Sequence, residues 1–187
     1  METTPAILLR RIKLTESSLI VTWFTEMHGK LKTVAKGARR PKSVFAGRLD
    51  LFYVAEITFA RSRQSELHGL REVAVQDSRE GLRLQYERTQ MAAYFVELVE
   101  MTTEFEHAVP EIYDLLRRAL DHLDKNPPTR RAMMHFEREL SRLLGVTGEN
   151  NLDTDPAQAI ARLSGQLPRD RAKILKGLPH EAVSMMR

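Results

Sequence analysis

The sequence predicts an α+β protein, a small β-barrel followed by an all-α domain, on three observations. Residues 5–75 are a series of short runs rich in β-branched and aromatic side chains, separated by turn residues. Near Ser78 the apolar period changes from 2 to 3.6. The charge is divided the same way: residues 1–80 hold 14 Lys and Arg against 9 Asp and Glu, and residues 81–187 hold 15 against 16. The net +4 of the 187-residue chain therefore lies in its first part. A polyanion-binding N-terminal module beside a near-neutral domain is the arrangement this suggests.

The first strand starts at residues 6–9 (AILL) and runs towards Leu14. Residues 18–24 (SLIVTWF) make the second. Residues 27–30 (MHGK) are a turn, with Gly29 where a positive φ costs little. Residues 31–35 are a third strand, residues 49–59 (LDLFYVAEITF) a fourth, and residues 67–75 (LHGLREVAV) a fifth. Five short strands with no helical pattern between them fit a five-stranded oligonucleotide-binding (OB) barrel over residues 1–78.

The helical domain is expected over residues 79–187. Ala92, Phe95, Val96 and Val99 share one helical face. Ile112, Leu115, Leu116, Ala119, Leu120 and Leu123 form a stricter stripe, and Pro110 opens that helix, where a missing N–H matters least. Met133, Phe136, Leu140, Leu143 and Leu144 mark a third helix, capped by Thr129 and stopped by Gly145. Residues 147–154 read as a polar loop. Two short helices follow, at 156–163 and 169–185, the latter broken near Gly177 and Pro179.

Several function classes find no support. There is no phosphate-binding G-x-x-x-x-G-K-[ST] loop, no G-x-G-x-x-G and no G-x-S-x-G elbow. The six histidines are scattered, and the absence of cysteine leaves no disulfide, zinc–thiolate or thiol nucleophile. No enzyme and no cofactor are expected. No apolar run nears the roughly 20 residues of a membrane span. Arg10, Arg11 and Lys13 follow the first apolar stretch too closely for a signal peptide. A cytoplasmic protein without membrane contact is the simplest expectation.

The positive charge concentrates in residues 29–49, GKLKTVAKGARRPKSVFAGRL. These carry seven cations (Lys30, Lys32, Lys36, Arg39, Arg40, Lys42 and Arg48) and no acid. Cations on a strand and its loop suit a phosphate backbone. Bases need flat partners as well. Phe45 lies within the basic loop and is the first stacking candidate; Trp23, Phe24, Phe52, Tyr53 and Phe59 are others. Trp23 fits either the core or a stacking surface. Strand alternation places one of Trp23 and Phe24 in the core and the other outside. No base-reading helix is evident, so little sequence preference is expected.

These residues resemble the RecO family of bacterial recombination mediators. The resemblance rests on A-I-L-L-R-R-I-K-L-T-E-S-S-L-I-V (6–21), T-E-M-H-G-K-L-K-T-V-A-K-G-A-R-R-P-K-S (25–43) and F-A-G-R-L-D-L-F (45–52). Y-F-V-E-L-V-E (94–100), I-Y-D-L-L-R-R-A-L-D-H-L (112–123) and H-F-E-R-E-L-S-R-L-L-G-V (135–146) extend it through the helices. It implies an OB barrel followed by a helical bundle. It also implies binding of single- and double-stranded DNA, ATP-independent annealing, and a nucleoid-associated role with RecR and RecF in loading RecA onto gapped DNA. The helical domain would bind the acidic C-terminal tail of single-strand-binding protein, with Arg117, Arg118, Arg130, Arg131, Arg138 and Arg142 as a cationic rim. Many family members carry a four-cysteine zinc element after L-L-G; residues 146–166 here have no cysteine, so no zinc is expected, and the chain after Val146 is short for the family. A protein-interaction adaptor and an RNA-binding OB protein are the alternatives.

Overall fold

The computed structural model describes residues 1–146 and 155–178. The predicted loop at 147–154 and the end of the last predicted helix, beyond residue 178, lie outside the described residues. Two compact units are present. One comprises Met1–Arg79 with Thr103–Arg117, the other Glu80–Thr102 with Arg118–Arg187.

The first unit is a closed barrel of β1 (Glu2–Lys13), β2 (Leu19–Thr25), β3 (Gly29–Ala35), β4 (Val54–Ala60) and β5 (Leu67–Asp77), in the order β1-β2-β3-β5-β4. β3 and β5 pair in parallel, Thr33 opposite His68, and every other pairing is antiparallel. This closure removes the free sheet edges. Alternate residues point inward: Ala6, Leu8, Val21, Trp23, Leu31, Ala35, Ala55, Ile57, Phe59, Leu70 and Val73 form the core. Trp23 is a core residue, with its indole N–H donating to Thr33 Oγ1 at 2.9 Å. Phe24 is buried too, on the outer face, with its ring 6.0 Å from that of Tyr113. Alternation therefore separates the two rings, as the sequence predicts, but both sides of β2 are covered.

The fourth strand is shorter than its apolar run predicts. Residues 49–50 are irregular and 51–52 form a turn, with Phe52 at φ 70°. Its N–H donates to the Leu8 carbonyl at 2.9 Å. Leu49 is apolar because it belongs to the barrel core rather than to a strand.

The second unit is helical. A 3-10 turn (Glu80–Arg83) leads into α1 (Tyr86–Thr102), with α3 (Arg130–Leu143), α4 (Pro156–Ser164) and α5 (Arg171–Gly177) after α2 (Pro110–Lys125), whose residues up to Arg117 count with the barrel. The predicted face of α1 understates it: Met91, Tyr94 and Leu98 are buried as well, so this helix is enclosed on most sides. Thr129 caps α3 by accepting the Ala132 N–H at 3.1 Å, and Gly145 follows it at φ 69°. Phe95 and Phe136 stack with centroids 4.0 Å apart. The Tyr94 hydroxyl donates to Glu137 Oε1 at 2.5 Å, and Arg171 forks onto the same carboxylate at 2.7 and 2.9 Å. Burial pushes the Tyr94 phenol up, and the adjacent Glu137 carboxylate adds to this.

Candidate nucleic-acid interface

The acid-free tract divides into three parts with different fates. Lys30 and Lys32 project from the outer face of β3. Lys30 is 5% exposed, and its ammonium lies 4.6 Å from the Phe105 ring centroid; that of Lys32 lies 4.1 Å away. The chain crossing them is fixed by main-chain contacts, with the Glu106 N–H donating to the Lys30 carbonyl at 2.9 Å. Packing is so close that a Cβ on Gly29 would sit 1.9 Å from the His107 carbonyl oxygen. The face of β2 and β3 that OB barrels commonly offer to ligands is thus overlaid here by residues 103–117. Lys30, predicted as a phosphate ligand, is a buried cation–π partner instead, and Lys32 is half-buried in the same contact.

The second part is the loop after β3. Lys36, Arg39, Arg40 and Lys42 are all exposed there. Gly37, at φ 70°, turns the chain out of the strand. The Ala38 N–H donates to the Ala35 carbonyl, Arg40 to Gly37 and Ser43 to Arg40, at 3.0–3.3 Å, so successive tight turns set the backbone. The loop is also tied to the β1–β2 hairpin. The Arg39 N–H donates to the Ser17 carbonyl at 3.0 Å, its guanidinium donates to the Glu16 carbonyl at 3.1 Å, and the Gly37 N–H donates to Ser18 Oγ at 3.3 Å. The Glu16 carboxylate pairs with Lys13 and lies 3.9 Å from Arg39. Lys13 and Glu16 were not anticipated; only the T-E-S-S turn signals them in the sequence.

The third part is the return towards β4. Phe45 is 5% exposed and belongs to the barrel core, so its ring has no face left for a base; it roots the loop instead. Arg48 is exposed, and its guanidinium donates to the Val73 carbonyl at 3.1 Å. The other stacking candidates fare no better: Trp23, Phe24, Phe52 and Phe59 are buried and Tyr53 is half-buried. Of the aromatic residues expected from the sequence as a platform, Trp23, Phe45 and Phe59 are in the barrel core, Phe24 and Phe52 are buried outside it, and Tyr53 is half-buried.

The loop after β4 carries two cations: Arg63 is exposed, and Arg61 is held by two carboxylates. Its guanidinium bonds Glu2 and Glu106, each at 2.8 Å. The Arg61 contact holds the Glu2 carboxyl below its ordinary range. Glu106 also accepts from His68 Nε2 at 2.9 Å, while His68 Nδ1 accepts the Ser62 N–H at 3.2 Å. That pattern assigns the proton to Nε2. The β3–β4 loop thus groups four exposed cations, Lys36, Arg39, Arg40 and Lys42, with Glu16 the one carboxylate paired to any of them among the described residues.

Three of the six predicted rim arginines share one helix face. Arg131, Arg138 and Arg142 are exposed on one face of α3, with His135 and the 43% exposed Met134 between them. Arg142 pairs with Glu139 at 3.1 Å. Arg130 points elsewhere, donating to the Leu175 carbonyl at 3.3 Å with its Nε buried. Arg117 pairs with Asp114 at 2.7 Å and counts with the barrel unit; Arg118 is exposed on α2. Among the described residues no group of three or more His, Cys, Asp or Glu is placed to hold a metal ion, and no helix is long and apolar enough to cross a membrane. With no cysteine in the chain, a four-thiolate zinc site does not fit its residues.

A closed five-stranded barrel with parallel β3–β5 pairing, followed in sequence by helices, defines an OB-fold protein with an appended helical unit. Comparison with known proteins narrows the class. The family description "Recombination protein O N terminal" matches residues 1–79, and "Recombination protein O C terminal" matches residues 83–149. The chain belongs to the RecO family of DNA repair proteins. It is 36% identical over 123 residues to the DNA repair protein RecO of Desulfatibacillum aliphaticivorans, covering 65% of this chain and 48% of that protein. The RecO of Rhodopirellula baltica is 31% identical over 140 residues, covering 75% of this chain and 52% of the relative. That of Idiomarina loihiensis is 30% identical over 156 residues, covering 83% and 66%. The chain spans about half the length of most of the curated relatives it matches.

Proposed function

We propose that this chain is a non-catalytic recombination mediator. It binds single- and double-stranded DNA through the β3–β4 loop and anneals complementary strands without ATP. With RecR it assists RecA loading onto DNA coated by single-strand-binding protein, in the cytoplasm at the nucleoid. The observation that carries this reading is the exposed loop of Lys36, Arg39, Arg40 and Lys42, fixed to the β1–β2 hairpin at one side of a closed barrel. A held set of cations suits phosphates, whose contacts position a strand without reading its sequence. The measurement is anisotropy of a labelled single strand at two salt concentrations, paired with an annealing assay with and without single-strand-binding protein. Binding that weakens as salt rises, with faster annealing, is expected. Salt-independent binding or unaccelerated annealing would defeat the proposal.

One observation favours a second activity of the helical unit, docking of an acidic partner. Arg131 and Arg138 flank the exposed Met134 on α3, with Arg142 one turn further on, which suits an acidic segment with an apolar residue, such as the tail of single-strand-binding protein. Titration of that tail peptide against Arg131→Glu and Arg138→Glu variants tests it; undiminished binding would remove α3 from the contact.

A further inference from the structure

We infer that Val44 is the base-contacting residue of the β3–β4 loop, an apolar wedge that touches unstacked bases while the surrounding cations hold the phosphates. The inference rests on the proposed DNA-binding reading and assigns the residue that meets the bases. Bases have apolar faces, and a strand held only by phosphates leaves those faces in water. On this barrel the usual stacking groups are largely covered. Trp23, Phe24, Phe45, Phe52, Phe59 and Tyr113 are buried, Tyr53 is half-buried, and the partly exposed Phe105 is overlaid by the ammoniums of Lys30 and Lys32.

Val44 has the opposite environment. It is 70% exposed, although it is β-branched and apolar and lies two residues from Lys42. The two sides of the residue show why it stays out. Phe45 is anchored in the barrel core, and its N–H donates to Ser43 Oγ at 3.2 Å. The Ser43 N–H donates to the Arg40 carbonyl at 3.0 Å and the Ala46 N–H to the Ser43 carbonyl at 3.1 Å. The backbone on both sides is therefore set, and Val44 cannot turn inward without pulling Phe45 out of the core. A valine has few χ1 states to lose on contact, so its presentation is already organised. Isolated exposed apolar residues are ordinary on protein surfaces. This one stands inside the acid-free cationic tract, held outward by turns on each side. Apolar wedges among cations are a known way for proteins to engage base steps.

The experiment compares two labelled single strands of equal length at one salt concentration, one with bases and one abasic over its central stretch. The native chain should bind the base-containing strand about five-fold more tightly, the scale of burying most of a valine side chain. Val44→Ser should remove that difference while leaving abasic-strand affinity, salt dependence and melting temperature unchanged. Val44→Phe should enlarge it. A Val44→Ser protein that still prefers the base-containing strand by the native ratio overturns the inference. So does a native chain that binds both strands equally well, and then the phosphate-binding reading survives alone. A native chain that binds neither strand overturns both.

Discussion

The guanidinium of Arg79 donates to the Phe52 carbonyl at 2.8 Å, and both residues hold positive φ, 47° and 70°. Arg79 is 1% exposed. It also donates to the Arg117 carbonyl at 3.3 Å, while its own N–H donates to Asp77 at 2.8 Å. One buried arginine thereby joins the end of β5, the turn before β4 and the segment that overlies the barrel. Non-glycine residues adopt positive φ at a cost; here the hydrogen bonds of Arg79 offset it at two places.

Arg79→Met is accordingly expected to destabilise the barrel by about 2–4 kcal/mol, since it strands buried carbonyls. Arg79→Lys should recover little, because an ammonium lacks the planar fork that reaches two separate oxygens. Urea unfolding followed by Trp23 fluorescence measures both. A lysine variant as stable as the native chain would show that charge alone suffices.

Gly29 joins two requirements, a φ of 66° and contact with the His107 carbonyl at 1.9 Å from any added Cβ. Gly29→Ala should cost about 2 kcal/mol or more, from left-handed strain and forced displacement together. It should also loosen the chain over Lys30, seen as faster amide exchange at Glu106. A destabilisation confined to the few tenths typical of a surface change would contradict the close approach.

The Tyr94 phenol, raised by burial and by Glu137, links stability of the helical unit to alkaline pH. A group with a raised folded value contributes stability that is intact below its ordinary value of 10.0 and declines as pH rises beyond it, because only the unfolded phenol ionises readily. Thermal unfolding of the native chain should therefore fall steeply above about pH 10. Tyr94→Phe should flatten that decline while lowering stability near neutrality. Equal alkaline sensitivity in both proteins would exclude Tyr94 as its source.

Glu16 is paired with Lys13 and lies 3.9 Å from Arg39, so under the proposed function it competes with phosphates for these cations. Glu16→Gln removes an internal competitor for two cations, and DNA affinity should rise about two- to five-fold at low salt, less at high salt where exposed charges are screened. Lys13→Ala in the same background should reverse part of the gain. An unchanged affinity would mean that DNA does not approach the β1–β2 hairpin.

Much of the fold was legible because its signals are local. Alternation marked the strands, Thr129 and Gly145 bounded α3, and the change of period near Ser78 marked where the barrel ends. The candidate site was legible only in part. Exposure of Lys36, Arg39, Arg40 and Lys42 follows from a polar loop, but the burial of Lys30 does not. It depends on Phe105, 75 positions away in the chain, and no periodicity encodes a contact at that separation. The aromatic residues misled for a related reason. A small barrel fills its interior with whatever large apolar side chains it has, so Phe45 and Trp23 went to the core before any surface could use them.

Lys30 and Lys42 give the sharpest contrast within the basic tract, because the sequence presents them as equivalent and the structure does not. Each phosphate contact adds about 0.7 to the magnitude of the slope of log affinity against log salt on single strands. Lys42 is exposed on the loop, so Lys42→Ala should weaken binding and reduce the slope by about that amount, with stability unchanged. Lys30 is buried over Phe105, so Lys30→Met should leave the slope as it was and appear in the unfolding midpoint instead. The two measurements cross: one variant changes the salt slope and the other the stability. If Lys30→Met flattens the slope while Lys42→Ala does not, the strand runs over the β2–β3 face, and residues 103–109 must leave it when DNA binds.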